Sequence, residues 1–145
     1  MTTEGGPGGG SGAGGLVLVV DDDPILREIL AEWLGQAGYR PLTADDGDQA
    51  MAQCRSQRPD LVVTDMMMPN KDGIETVREF KARWPDLPVV AISSGIGGSD
   101  PEVILRAARA MGADAALSKP LNRAEFERLV GSLIAASPVR PAPAG

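Results

Sequence analysis

From Leu16 onward, short unbroken apolar runs alternate with longer stretches whose apolar residues recur every three to four positions. LVLVV at 16–20, LVVT at 61–64 and VVAI at 89–92 show no polar alternation, as strands buried on both faces do. YRPLTA at 39–44 is weaker and tolerates Pro41, which places it at a sheet edge, and AALS at 115–118 is a short last strand. Helical segments lie between them. Asp23 ahead of Pro24 caps the first, Ile25, Ile29, Leu30, Trp33 and Leu34 form its apolar stripe, and Gly35 and Gly38 mark its end. The second helix runs from Gly47 to Gln57, and the third starts near Gly73 with Ile74, Val77 and Phe80 inward. The fourth has Pro101 in its first turn and turns Val103, Ile104 and Leu105 inward; the fifth opens at Asn122, with Glu125 three residues on as in a capping box.

Strands alternating with helices predict an α/β fold with a parallel sheet covered on both faces. Right-handed crossovers then lead to a flavodoxin-like, doubly wound three-layer sandwich, its five-stranded sheet in the order 2-1-3-4-5 with five helices. Residues 16–136 form this domain. The Gly-rich segment 1–15 reads as a flexible tail and the Pro-rich segment 137–145 as an extended one. Gly10, Gly12 and Gly15 have the GxGxxG spacing of a dinucleotide fingerprint, but they precede the first strand instead of following it, so they carry no nucleotide site.

Composition narrows the function. At 145 residues the chain holds one ordinary domain. A net charge of -6, with basic residues spread singly, provides no stripe to neutralise nucleic-acid phosphates. No apolar run approaches the ~20 residues that span a bilayer and no secretory signal opens the chain, so a cytoplasmic protein without membrane partners is expected. Cys54, the single cysteine, falls in a helical pattern as a small core residue. Histidine is absent, which excludes a His-based triad, a histidine metal site and a phosphohistidine carried by this chain.

The candidate chemistry sits at strand ends. Asp21 and Asp22 follow the first strand, Asp65 the third, Ser93 the fourth and Lys119 the fifth. In a parallel sheet the carboxyl ends of the strands open onto one crevice, where these residues converge. Singly, each has a plain explanation: Asp22 or Asp23 as a helix cap, Asp65 as a turn residue, Ser93 as a strand-end hydroxyl. Together they do not. Paired acids at the end of a buried strand repel unless a cation compensates, and a lysine between a buried strand and Pro120 needs an anion to meet. Metal-assisted phosphoryl chemistry fits this set.

VVDD at 19–22, DMMMPNKDG at 65–73, Ser93 after VVAI, and Lys119-Pro120 together resemble the receiver domain of two-component response regulators over residues 16–136. AISSG, and the lack of an attached output sequence, are similar to stand-alone, CheY-like bacterial receivers, and the initial Met fits a complete chain. The resemblance implies that Asp65 takes a phosphoryl group from a phosphohistidine on a sensor histidine kinase or histidine phosphotransfer protein. It implies Mg²⁺ held by Asp22, Asp65 and the backbone carbonyl of Met67, with Asp21 acting through water. Lys119 and Ser93 would meet the phosphoryl oxygens, and Ser93 would draw in the glycines at 95, 97 and 98 as a switch toward a downstream protein. The chain would be a phosphoacceptor that assists its own phosphorylation and dephosphorylation, not an enzyme. One position departs from the family: the switch aromatic usually found three residues before the lysine is Ala116 here.

Two other readings compete. An aspartate-nucleophile phosphatase would place a general acid two residues after Asp65, where this chain has Met67. A binding module of the same fold that is never phosphorylated would have no use for mutually repelling acids.

Overall fold

The computed structural model describes residues 15–66, 73–93, 101–110 and 112–136, apart from the side chains of Gly73, Ile74, Pro101, Ile104 and Leu105. Five strands and five helices alternate: β1 (Leu16–Val20), α1 (Pro24–Gln36), β2 (Arg40–Ala44), α2 (Gly47–Ser56), β3 (Leu61–Asp65), α3 (Gly73–Arg83), β4 (Val89–Ser93), α4 (Pro101–Ala110), β5 (Ala115–Ser118) and α5 (Arg123–Ala136). All neighbouring strands are parallel, in the order β2-β1-β3-β4-β5. This is the doubly wound 2-1-3-4-5 sheet expected from the alternation. Pro41 lies on β2, at the edge, where a missing N–H breaks no inner ladder.

Each central strand feeds two cores, because successive side chains point to opposite faces. Leu18, Val20, Val62, Val89 and Ala91 meet Ala50, Met51 and Cys54 of α2, Val77 and Phe80 of α3, and Ala108 of α4. Val17, Val19, Leu61, Val63, Val90 and Ile92 meet Leu30 and Leu34 of α1 and Phe126 and Val130 of α5. Burial on both faces explains why these strands lack polar alternation. Cys54 is a core residue, and burial pushes its thiol up to about 12 despite the nearby Arg58 and Arg55.

The helix starts follow the sequence. Asp23 Oδ1 accepts the N–H groups of Ile25 (2.9 Å) and Leu26 (3.5 Å), and Asn122 Oδ1 accepts that of Glu125 (2.9 Å). Two helix faces differ from expectation. Ile25 and Ile29 are 69% and 38% exposed, while Leu30 and Leu34 are buried, with Leu26 and Trp33 packed against them. Docking on the sheet sets which face turns inward, and at 3.6 residues per turn Ile25 lies about 140° around from Leu30. Val103 likewise points outward, 56% exposed, because the buried Ala108 sets the inward face of α4. α2 ends at Ser56, with Gln57 as its C-cap. Met67 and the glycines at 10, 12, 95, 97 and 98 lie outside the described residues.

Candidate functional site

The strand register carries the site. Val20 of β1 pairs with Thr64 of β3, Asp65 with Ile92 of β4, and Ser93 with Ser118 of β5, so the next residue in each case stands at one shared rim. Asp21 and Asp65 are buried, Asp22 is exposed, and one carboxylate oxygen from each lies within 4.8 Å of the others. Lys119 Nζ sits between two of them, 3.6 Å from Asp21 Oδ2 and 3.7 Å from Asp65 Oδ1. These are ion-pair distances without hydrogen-bond contact. The Lys119 backbone N–H donates to the Ser93 carbonyl (2.8 Å), and the Lys119–Pro120 peptide is cis.

Asp21 is held on several sides. Its N–H donates to the Ala44 carbonyl (3.1 Å), and its Oδ1 accepts the Asp23 N–H (2.8 Å). Burial raises its carboxyl above the ordinary 3.8, partly countered by that N–H bond and by the Lys119 ammonium. Asp21 Oδ2 and Ser93 Oγ are buried without a hydrogen-bond partner among the described residues. An unmatched buried polar atom costs about 1–3 kcal/mol, so both call for a ligand.

The donor set fits a hard divalent cation. Three carboxylates facing one ammonium leave a formal charge of −2, and every candidate ligand atom is oxygen. Ser93 Oγ, buried at the adjacent strand end, is chemically suited to donate to an anionic oxygen. Asp21, Asp22, Asp65, Ser93 and Lys119 all stand at this rim, as the strand ends predicted. Ala116 is a partly buried β5 residue opposite Ala91, with no ring to rotate. Sequence reasoning missed Arg27, whose Nη1 donates to the Asp21 carbonyl (2.7 Å). The available signal was an arginine one turn into the helix after the paired acids, since helical side chains lean toward the N-terminus.

An open parallel sheet with an acidic crevice at its switch point defines the class as CheY-like. The chain belongs to the response regulator receiver family, matching the response regulator receiver domain over residues 17–130. It is 32% identical over 118 residues to the transcriptional regulatory protein BaeR of Escherichia coli, covering 81% of this chain and 47% of BaeR. The receiver domain of NtrX from Brucella abortus superposes with TM-score 0.77 at 30% identity, covering 83% of this chain and 99% of that domain. Response regulator TrrA from Thermotoga maritima, solved in complex with Mg²⁺ and BeF, superposes with TM-score 0.69 at 30% identity, covering 81% and 97%. The chain spans a third to about half the length of the curated regulators it matches.

Proposed function

We propose that Asp65 is a phosphoacceptor, loaded by a phosphohistidine on a sensor histidine kinase or histidine phosphotransfer protein in a Mg²⁺-dependent reaction. The observation that carries this reading is Lys119 Nζ, poised 3.6 and 3.7 Å from buried Asp21 and Asp65. An Asp65 carboxylate oxygen attacks phosphorus, the phosphorus–nitrogen bond of the donor breaks, and the imidazole leaves with its electron pair. The attack brings negative charge into an acidic crevice, and Lys119 offsets it. Asp22 and Asp65, with the Met67 carbonyl that the family resemblance implies, would hold Mg²⁺ and Asp21 would support it through water; the cation would supply the remaining charge neutralisation.

Once Asp65 carries the phosphoryl group, the Ser93 hydroxyl donates to one of its oxygens. A dianion met by a lysine and a hydroxyl biases a nearby loop toward a second arrangement, and this is how the state is signalled to a downstream protein. With Ala116 at the aromatic position, no ring rotation contributes to the switch. The exposed Ile25 and Ile29 share one face of α1 with Glu28 and Glu32 and offer an apolar anchor with an acidic rim to a phosphodonor. The acidic chain works by protein contact in the cytoplasm, without touching nucleic acid, and acts on no separate substrate.

Intact-mass spectrometry after incubation with acetyl phosphate tests the proposal. The native chain gains one phosphoryl group with Mg²⁺ and none without it, and Asp65→Asn abolishes the gain. No gain in the native chain from acetyl phosphate or kinase-bound donors would leave an unphosphorylated binding module of the same fold.

A further inference from the structure

Arg27 is half-buried, and its guanidinium meets the backbone where the acid cluster begins. It lies one turn into α1, and because helical side chains lean toward the N-terminus its guanidinium folds back over the β1–α1 junction. There Nη1 donates to the Asp21 carbonyl at 2.7 Å in a partly buried, charge-assisted bond. That carbonyl and the Asp22 N–H belong to one planar peptide unit. Fixing the carbonyl therefore fixes the plane from which Asp22 departs. Asp22 is the exposed member of the trio, so packing does little to aim it.

We propose that Arg27 is a positioning residue, clamping the Asp21–Asp22 peptide so that the three carboxylates converge before a cation arrives. The inference rests on the Mg²⁺ site proposed above. It differs in sign from a purely electrostatic role, because a guanidinium near the site repels a cation. If charge dominated, removing Arg27 would tighten Mg²⁺ binding; if positioning dominates, removal weakens it. It differs from a purely structural role too, which would lower the unfolding midpoint and leave metal affinity alone.

The test is calorimetric titration of the full chain with Mg²⁺, paired with thermal unfolding of the metal-free proteins. Arg27→Met keeps the aliphatic stem and should weaken Mg²⁺ by about tenfold, the low end for a residue supporting a ligand from behind. Arg27→Lys, which keeps charge and one donor but loses the fork, should fall between Met and native. Arg123→Met removes an equal charge from α5, where Arg123 pairs with Glu127 and Gln36, and should bind Mg²⁺ as native does. Unchanged or tighter binding by Arg27→Met overturns the proposal. Should Arg27→Met fail to fold, Arg27→Gln takes its place with the same expectation and the same overturning result. Failure of the native chain to bind Mg²⁺ overturns the cation site itself, an outcome distinct from native binding that the Arg27 variants share.

Discussion

The two ends of the sheet use the same side chains to opposite effect. At the amino ends of the strands, Lys81 Nζ donates to Asp114 Oδ2 (3.0 Å) and to the Leu87 carbonyl (2.9 Å). Asp114 Oδ2 also accepts the Val89 N–H (2.8 Å), and Asp60 Oδ2 accepts the Leu16 N–H (2.8 Å). Gly15, at φ +67°, turns into β1 where a Cβ would stand 2.8 Å from Asp60 Oδ2. At the carboxyl ends, Lys119 faces Asp21 and Asp65 at 3.6 and 3.7 Å, and Asp21 Oδ2 and Ser93 Oγ have no hydrogen-bond partner among the described residues. A lysine and aspartates that close hydrogen bonds with the backbone hold the fold. At the other rim an ammonium just out of hydrogen-bond reach of two buried acids, beside the unmatched Asp21 Oδ2 and Ser93 Oγ, awaits a ligand.

Exchanging a lysine at each end would separate these roles. Lys119→Met should slow phosphorylation of Asp65 by acetyl phosphate about 100-fold or more, as loss of a preorganised charge-stabilising donor does. Its unfolding midpoint should fall only modestly, because the ammonium offsets the two acids by charge at those distances without a hydrogen bond to either. Time-resolved intact-mass measurement reads the first effect and a thermal melt the second. A phosphorylation rate equal to native would return Lys119 to the class of structural ion pairs and erase the contrast.

Asp114→Ala should show the reverse. It strands the N–H of fully buried Val89 and removes one of the two partners of Lys81 Nζ, at a cost of about 2 kcal/mol. For a domain of this size that corresponds to a fall of roughly 6 °C in unfolding midpoint. Mg²⁺ affinity and phosphorylation rate should not change. A variant that melts normally but loses Mg²⁺ would show that the two ends are coupled through the strands.

The same contrast explains what could be read from the sequence. Strands buried on both faces announce themselves as unbroken runs such as LVLVV, and handedness restricts their order. Polar residues that stop such runs, Asp21, Asp65, Ser93 and Lys119, mark one rim because a parallel sheet sends every carboxyl end the same way. Helix phase was less legible. α1 carries apolar residues at 25, 26, 29, 30, 33 and 34, more than one stripe holds, and only docking on the sheet selects Leu30 and Leu34 over Ile25 and Ile29. Val103 misleads in the same way. Arg27 was hidden because its bond to the Asp21 carbonyl depends on how the chain turns between β1 and α1.

The smallest expected effect probes the acidic end through its protons. Burial, the largest influence, raises the Asp21 carboxyl above its ordinary 3.8, against the Asp23 N–H and Lys119, which lower it. The folded chain therefore holds this proton more tightly than the unfolded chain, so the group's stabilising contribution is present below pH 3.8 and is lost as pH rises through the raised folded value. Above that raised value the metal-free native chain carries the charged, buried form at a penalty. Asp21→Asn removes it, and should stabilise the metal-free protein at pH 7 by on the order of 1 kcal/mol, roughly 3 °C in melting temperature. The advantage should shrink as the pH falls toward 3.8, where the native carboxyl is itself protonated. With Mg²⁺ present the order should narrow or reverse, because the cation stabilises the native acids more than a site short of one charge. Thermal melts across pH, in chelator and in Mg²⁺, measure all three. An Asn variant less stable than native in chelator at pH 7 would mean that the Lys119 pairing outweighs burial, and that the carboxyl rim is better satisfied than its distances imply.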